Sequence, residues 1–331
     1  MNAKKINVIT VTILAVTYIL SAVFRFLIVK NSPYMYDRFY FTFTAKAVLF
    51  LALGIVGYII ASKYGNVIVE KYGWIFGVVG IIVLLCERYC SSVSLFKGLV
   101  LLTNPIAIIG IAAFIFTYLK NKIWINWAVS LLPIVMFAFF DNVWRIILIA
   151  VFTIMILFAI KEKYQNKGIL TLYSLLVLLG AYTVLIYLLP AYSGLSYQMH
   201  NNGYMASIIS EGFKSAKLFG KASVSADGER QTFMLYHMIM NWGYFAAGIM
   251  IALIAALEVT IFMSAHEFKN TAHKFTAYSV FLILLINIAV SLLTNFGIVI
   301  NGFFTLMPIV SLSFFEAVSV FAMAGIINVR E

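Results

Sequence analysis

Charge is what this sequence has least of. Only 11% of its 331 residues are Asp, Glu, Lys or Arg, against roughly a quarter in an ordinary soluble domain. So few charges cannot cover a water-exposed surface, which excludes the one to three soluble domains that the length alone would allow. Cysteine is scarce as well. Cys86 and Cys90 are the only two, too few for a disulfide scaffold or a zinc site. At i,i+4 they share one face of a helix and read as small packing residues. Four histidines, His200, His237, His266 and His273, are scattered without metal-ligand spacing. No low-complexity linker and no internal repeat breaks the chain. What remains is apolar: 63% of the residues are hydrophobic and the mean hydropathy is +1.02. The chain reads as an integral membrane protein. Its net charge of +11 is spread over many short loops, where basic residues anchor and orient membrane helices, so nucleic acid is not an expected partner.

A spanning helix needs about 20 apolar residues to cross about 30 Å of hydrocarbon. Ten stretches are candidates: Asn7–Val29, Phe41–Ala61, Gly73–Glu87, Thr103–Leu119, Trp124–Phe140, Val143–Ile160, Ile169–Pro190, Phe233–Met263, Thr276–Ile300 and Met307–Val329. The expected fold is therefore an all-α polytopic bundle forming a single membrane domain over residues 1–331. The first stretch has no small-residue cleavage site and reads as a helix, not a leader. Only Asp141–Asn142 divides the fifth stretch from the sixth, which implies a tight re-entry. Ten crossings put both termini on one side. If that side is cytoplasmic, twelve Lys and Arg residues lie inside and eight outside, and four of those eight belong to one long loop. Long loops count little in this bias, so both termini are expected in the cytoplasm.

That long loop, Ala191–Thr232, spans about 40 residues. Loops of this length without function are uncommon. Part of it has helical periodicity. Ile208, Ile209, Gly212, Phe213, Ala216 and Phe219 fall on one side, and Glu211, Lys214, Lys217 and Lys221 on the other. Such a segment either caps the bundle or lies in the headgroup plane with its lysines toward anionic groups.

Charges at membrane depth each need a reason. Asp141 and Arg145 are one helical turn apart and can pair. Lys46 can snorkel outward or meet a carboxylate inside the bundle. Glu258, near the cytoplasmic end of its stretch, is expected to snorkel. Glu316 stands amid Phe314, Phe315 and Val318, and needs a cationic partner or a proton.

Several runs, in order, carry a resemblance. Tyr204, Ser215 and Leu218-Phe219-Gly220-Lys221 resemble a YQ…SGGLFGKG segment. Asn241-Trp242-Gly243-Tyr244-Phe245 resembles the EELGYFG that follows a TDF motif. Asn295-Phe296-Gly297 resembles an NIG, and Pro308-Ile309-Val310-Ser311 the PFxS of PLPFxSYGGSS, with Gly325 at the spacing of a downstream glycine. Lys46 and Gly54 are similar to an RQ…G, Asn104-Pro105 to the start of QPSExxK, and Asp141 to the Asp of QPDLGT. These motifs belong to the SEDS family (shape, elongation, division and sporulation), the FtsW/RodA/SpoVE-like proteins, and the resemblance covers nearly the whole chain. It implies a ten-helix protein of the bacterial cytoplasmic membrane that polymerises glycan strands of peptidoglycan from lipid II. The implied partners are lipid II or another undecaprenyl-pyrophosphate-linked precursor, and a class B penicillin-binding protein or another divisome or elongasome membrane protein.

The sequence also departs from the family. The essential carboxylate of TDF falls on Thr232, which cannot ionise at neutral pH and so cannot act as general base. Asp227 and Glu229, just upstream, are the candidates to replace it. The Glu and Lys of QPSExxK fall on Ala107 and Gly110. SYGGSS reads Ser311-Leu312-Ser313-Phe314-Phe315-Glu316, so both glycines are lost and phenylalanines fill space the family keeps open. Glycan polymerisation needs a base for the attacking hydroxyl and cations for the departing pyrophosphate. Lys214, Lys217 and Lys221, or a divalent cation, can meet the second need. Asp141, Arg145, Lys46 and Ser311 complete the candidate substrate-binding set. Three functions stay open: a lipid II-consuming glycosyltransferase, a catalytically silent paralogue that scaffolds or regulates wall enzymes, and a transporter of lipid-linked precursors.

Overall fold

The computed structural model describes residues 3–30, 37–90, 94–120, 127–140, 142–164, 167–193, 207–222, 234–296 and 314–327. Every regular element among them is a helix. They are α1 (Ala3–Lys30), α2 (Asp37–Tyr89), α3 (Ser94–Lys120), α4 (Trp127–Phe139), α5 (Asn142–Lys161), α6 (Lys167–Ser193), α7 (207–215), α8 (Met234–Trp242), α9 (Tyr244–Glu267), α10 (Thr271–Asn295) and α11 (Phe314–Ile327). Seven helical segments are long and apolar enough to cross a membrane, and three shorter apolar ones, in α4, α6 and α11, accompany them. The protein is a polytopic membrane bundle. Helices are the expected solution, because in hydrocarbon each backbone N–H and C=O must be satisfied within the segment.

Two expected spans lie within α2, which runs unbroken for 53 residues. It is not a straight rod. Phe50 and Gly80 would stand about 45 Å apart in a straight helix. Phe50 stacks edge-on against Phe315 at 4.8 Å, and Gly98 of α3 packs on the same Phe315 ring. Gly80 packs on Ala107, only nine residues further along α3. These contacts can hold together only if the chain reverses inside α2, between its two apolar segments Thr42–Gly65 and Val67–Tyr89. The reversal needs no intervening loop.

Helices α3 and α11 form the centre. Asn104, Pro105 and every residue from Ala107 to Phe116 are buried, as are most of those from Glu316 to Ile327. Small residues permit the close approach that membrane helices rely on. Gly73 faces Gly110 backbone to backbone, and Gly325 lies against Tyr58 and Ala61. Hydroxyls of Thr10, Thr17, Thr153, Thr276 and Ser279 return their protons to carbonyls one turn back, so they cost little in an apolar bundle. The end that carries α7 is called the loop end below. At the far end, His273 Nε2 lies 3.1 Å from Glu70 and Thr271 Oγ1 bonds Glu162 at 3.3 Å, joining the α2 reversal and the α5–α6 turn to α10.

Candidate functional site

The stretch expected as one helix over Phe233–Met263 is two. Gly243 separates α8 from α9 with φ 89° and ψ 173°, a left-handed backbone that glycine enters without a Cβ penalty. The hydropathy of the run is continuous, which is why the sequence reads through the break. Its one local signal is a lone glycine after Asn-Trp.

A break at this depth exposes backbone groups that must find partners. They find them in an extended strap, residues 216–222, that follows α7. Tyr244 N donates to Lys217 O at 3.0 Å and Phe245 N to Leu218 O at 3.1 Å. In the other direction, Gly220 N donates to Trp242 O at 3.2 Å and Ala222 N to Met240 O at 2.8 Å. Gly220 is itself left-handed at φ 84°. A Cβ on Gly243 would strike the Lys217 and Leu218 carbonyls, so glycine is required twice over, by φ and by the strap.

The other end of α8 is capped across the bundle. Asn295 Oδ1, at the end of α10, accepts from Leu235 N at 2.9 Å and Tyr236 N at 3.2 Å. The α7 helix packs on the end of the bundle. Ile209 and Gly212 are buried against Tyr236, whose hydroxyl donates to Ile208 O at 3.3 Å. Burial pushes the Tyr236 phenol up, so it stays a donor. Phe213 sits among Tyr236, Tyr244 and Phe296 with ring centroids 5.6–6.4 Å apart.

The strap's outer side is amphiphilic. Lys214, Lys217 and Lys221 are all exposed. Leu218 and Phe219 beside them are 63% and 60% exposed, and Phe219 stacks on the equally open Phe245 at 5.0 Å. Three of the expected substrate-binding residues, Lys214 at the end of α7 and Lys217 and Lys221 on the strap, are thus exposed within eight residues of chain. Lys46 faces outward from α2 and does not enter the bundle. Arg145 closes the end of α4, donating from Nε to Phe137 O at 3.0 Å and from Nη2 to Ala138 O at 3.3 Å, over the Phe137 ring. Asp227, Glu229, Thr232, Asp141 and Ser311 lie outside the described residues.

Glu316 is fully buried on α11, and the half-buried Arg25 of α1 is within electrostatic reach of it. Both stand about two turns or less from the loop end of their helices; the expected run Met307–Val329 sets Glu316 deeper than Arg25 because it begins seven residues before α11 does. Phe315 fills the space between Gly98 and Phe50. Glu258 does not snorkel. It is buried, neither of its carboxylate oxygens has a hydrogen-bond partner, and it lies at the base of an apolar groove of about 520 Å³ between α9 and α10. The cysteines are not packed inside either: Cys86 is half-buried and Cys90 exposed. Among the described residues no three His, Cys, Asp or Glu side chains gather as a metal site would require.

No family model matches the chain, and no curated protein does. Among solved structures, one chain from a peptidoglycan synthase complex, described as coordinating polymerization and crosslinking, matches with a TM-score of 0.59 and 12% identity. The match covers 96% of this chain and 95% of that one. The two share a fold from end to end.

Proposed function

We propose that this protein serves peptidoglycan assembly in the bacterial cytoplasmic membrane, with its loop end extracytoplasmic. There it holds an undecaprenyl-pyrophosphate-linked precursor such as lipid II. The reading extends to a membrane partner of wall synthesis, a class B penicillin-binding protein or another divisome or elongasome component. The observation that carries it is the exposed end of α7 and the strap after it, where Lys214, Lys217 and Lys221 accompany exposed Leu218 and Phe219. Cations beside apolar side chains at a membrane boundary match a ligand that joins a pyrophosphate to a hydrocarbon chain. The end-to-end fold shared with a chain of a peptidoglycan synthase complex supports the same reading.

Within it, the scaffold or regulator has one specific observation in its favour. Phe315 and the buried Glu316 stand at the two serine positions that close SYGGSS in the resembled family, so a ring packed on Gly98 and a buried carboxylate replace two hydroxyls there. The polymerase version assigns the base to Asp227 or Glu229. The test uses purified full-length protein in nanodiscs with lipid II. Replacing Lys214, Lys217 and Lys221 by Ala together removes about 1 kcal/mol each, or about a hundredfold in Kd. Unchanged affinity would sink the substrate assignment. Glycan polymer from the wild type that disappears with Asp227→Asn or Glu229→Gln supports the enzyme. Binding without polymer supports the scaffold.

A further inference from the structure

We infer that the strap and the α8–α9 break form a two-state element, in which residues 217–222 stand in for missing helical hydrogen bonds and can be exchanged for them. In a continuous helix each N–H bonds the carbonyl four residues back. Gly243 N still does so, to Ile239 O at 2.9 Å. The next three bonds, from 244 to 240, 245 to 241 and 246 to 242, are opened by the left-handed turn at Gly243. Of the six backbone groups so released, the strap takes four: Tyr244 N and Phe245 N as donors, Met240 O and Trp242 O as acceptors. All four are groups that pair with helical neighbours once Gly243 adopts helical φ and ψ.

The same polar groups are therefore satisfied in two ways. In the strapped form the helix is broken and the strap docked. In the released form α8 continues α9 as one helix and the strap leaves. Gly243 can make the exchange, because glycine is at home in both conformations. On release, α8, nine residues or about 13 Å long, aligns with α9 and draws Leu235 and Tyr236 away from Asn295. The strap carries Lys217, Leu218, Phe219 and Lys221 with it. A ligand that grips those side chains better in one form than the other shifts the balance by that difference and no more.

The two forms differ in which amides are protected. In the released form Gly220 and Ala222 lose their acceptors, while Tyr244 and Phe245 exchange one acceptor for another. Amide hydrogen exchange on the full-length protein in nanodiscs, resolved to single residues, reads this directly. Gly243→Ala drives release, because its Cβ strikes the strap carbonyls and alanine favours helix. The expected result is exchange about tenfold or more faster at Gly220 and Ala222 with Tyr244 and Phe245 still slow, together with faster trypsin cleavage after Lys217 and Lys221. Loss of protection at all four amides together marks plain local unfolding and overturns the proposal. So does unchanged protection at Gly220 and Ala222. Gly220→Ala gives a milder test should the first variant fold poorly. Its Cβ meets nothing within 4 Å but its φ of 84° is strained, and the same pattern is expected at smaller amplitude.

Discussion

The centre of the bundle and its loop end are held together by different means. Around α11 the helices are continuous and the contacts are between small residues: Gly73 on Gly110, Gly80 on Ala107, Gly325 on Tyr58 and Ala61. At the loop end a helix is interrupted, and the joints are backbone hydrogen bonds with the strap and two backbone amides that donate to the Asn295 side chain. Packing of the first kind has no alternative partner, since a void or a clash is simply a loss. Hydrogen bonds of the second kind can be handed to another partner at little net cost. A rigid core and an exchangeable end therefore coexist in one bundle.

Breaking the core is expected to cost most. Arg25→Ala leaves the buried Glu316 without its counterpart and should lower stability by about 3–5 kcal/mol, Glu316→Ala leaves only the half-buried Arg25 and should cost less, and Arg25→Leu with Glu316→Leu should recover most of the larger loss. Thermal unfolding in detergent reads the difference. If the double replacement is as damaging as Arg25→Ala, the two residues are not a pair. Gly73→Leu pushes a side chain into the backbone of Gly110 and should cost about 1–3 kcal/mol or more by the same measurement. At the loop end Asn295→Ala removes a cap from two amides of α8, for about 1 kcal/mol, and should speed exchange at Leu235 and Tyr236 first. Smallest of all, Lys214→Ala, Lys217→Ala and Lys221→Ala should each leave stability within about 0.5 kcal/mol, as for exposed positions generally. Any larger shift would mean that the strap's charges hold the fold and are not free to meet a ligand.

Much of the core was legible in the sequence, because hydropathy is the physical cause of a membrane helix and not merely its marker. All ten expected spans have a helix over their central residues. The misreadings share a cause. Gly243 interrupts a run whose side chains stay apolar on both sides, so a hydropathy trace passes over the break. Glu258 reads as snorkelling by position, but its orientation depends on α10, and sequence spacing carries no record of neighbours. Cys86 and Cys90 are expected on one helical face, but α2 ends at Tyr89 and leaves Cys90 just beyond it and exposed. The amphipathic stretch was legible as far as residue 215, because its two sides differ in chemistry; beyond it the chain leaves the helix, and Phe219, expected on the apolar side, is 60% exposed. The docking partner of α7, Tyr236, lies more than twenty residues downstream and carries no local sign of that role.

The loop-free reversal inside α2 has a practical side. Gly65 rests on Ile326 at the turn, and helix continues through it in both directions. An epitope or reporter spliced there would have to prise apart two packed helices, where elsewhere it would only lengthen a connector. Topology probes at that corner would report on damage, and the accessible surface just beyond Lys161 is the better place to ask which face of the membrane this end of the molecule occupies.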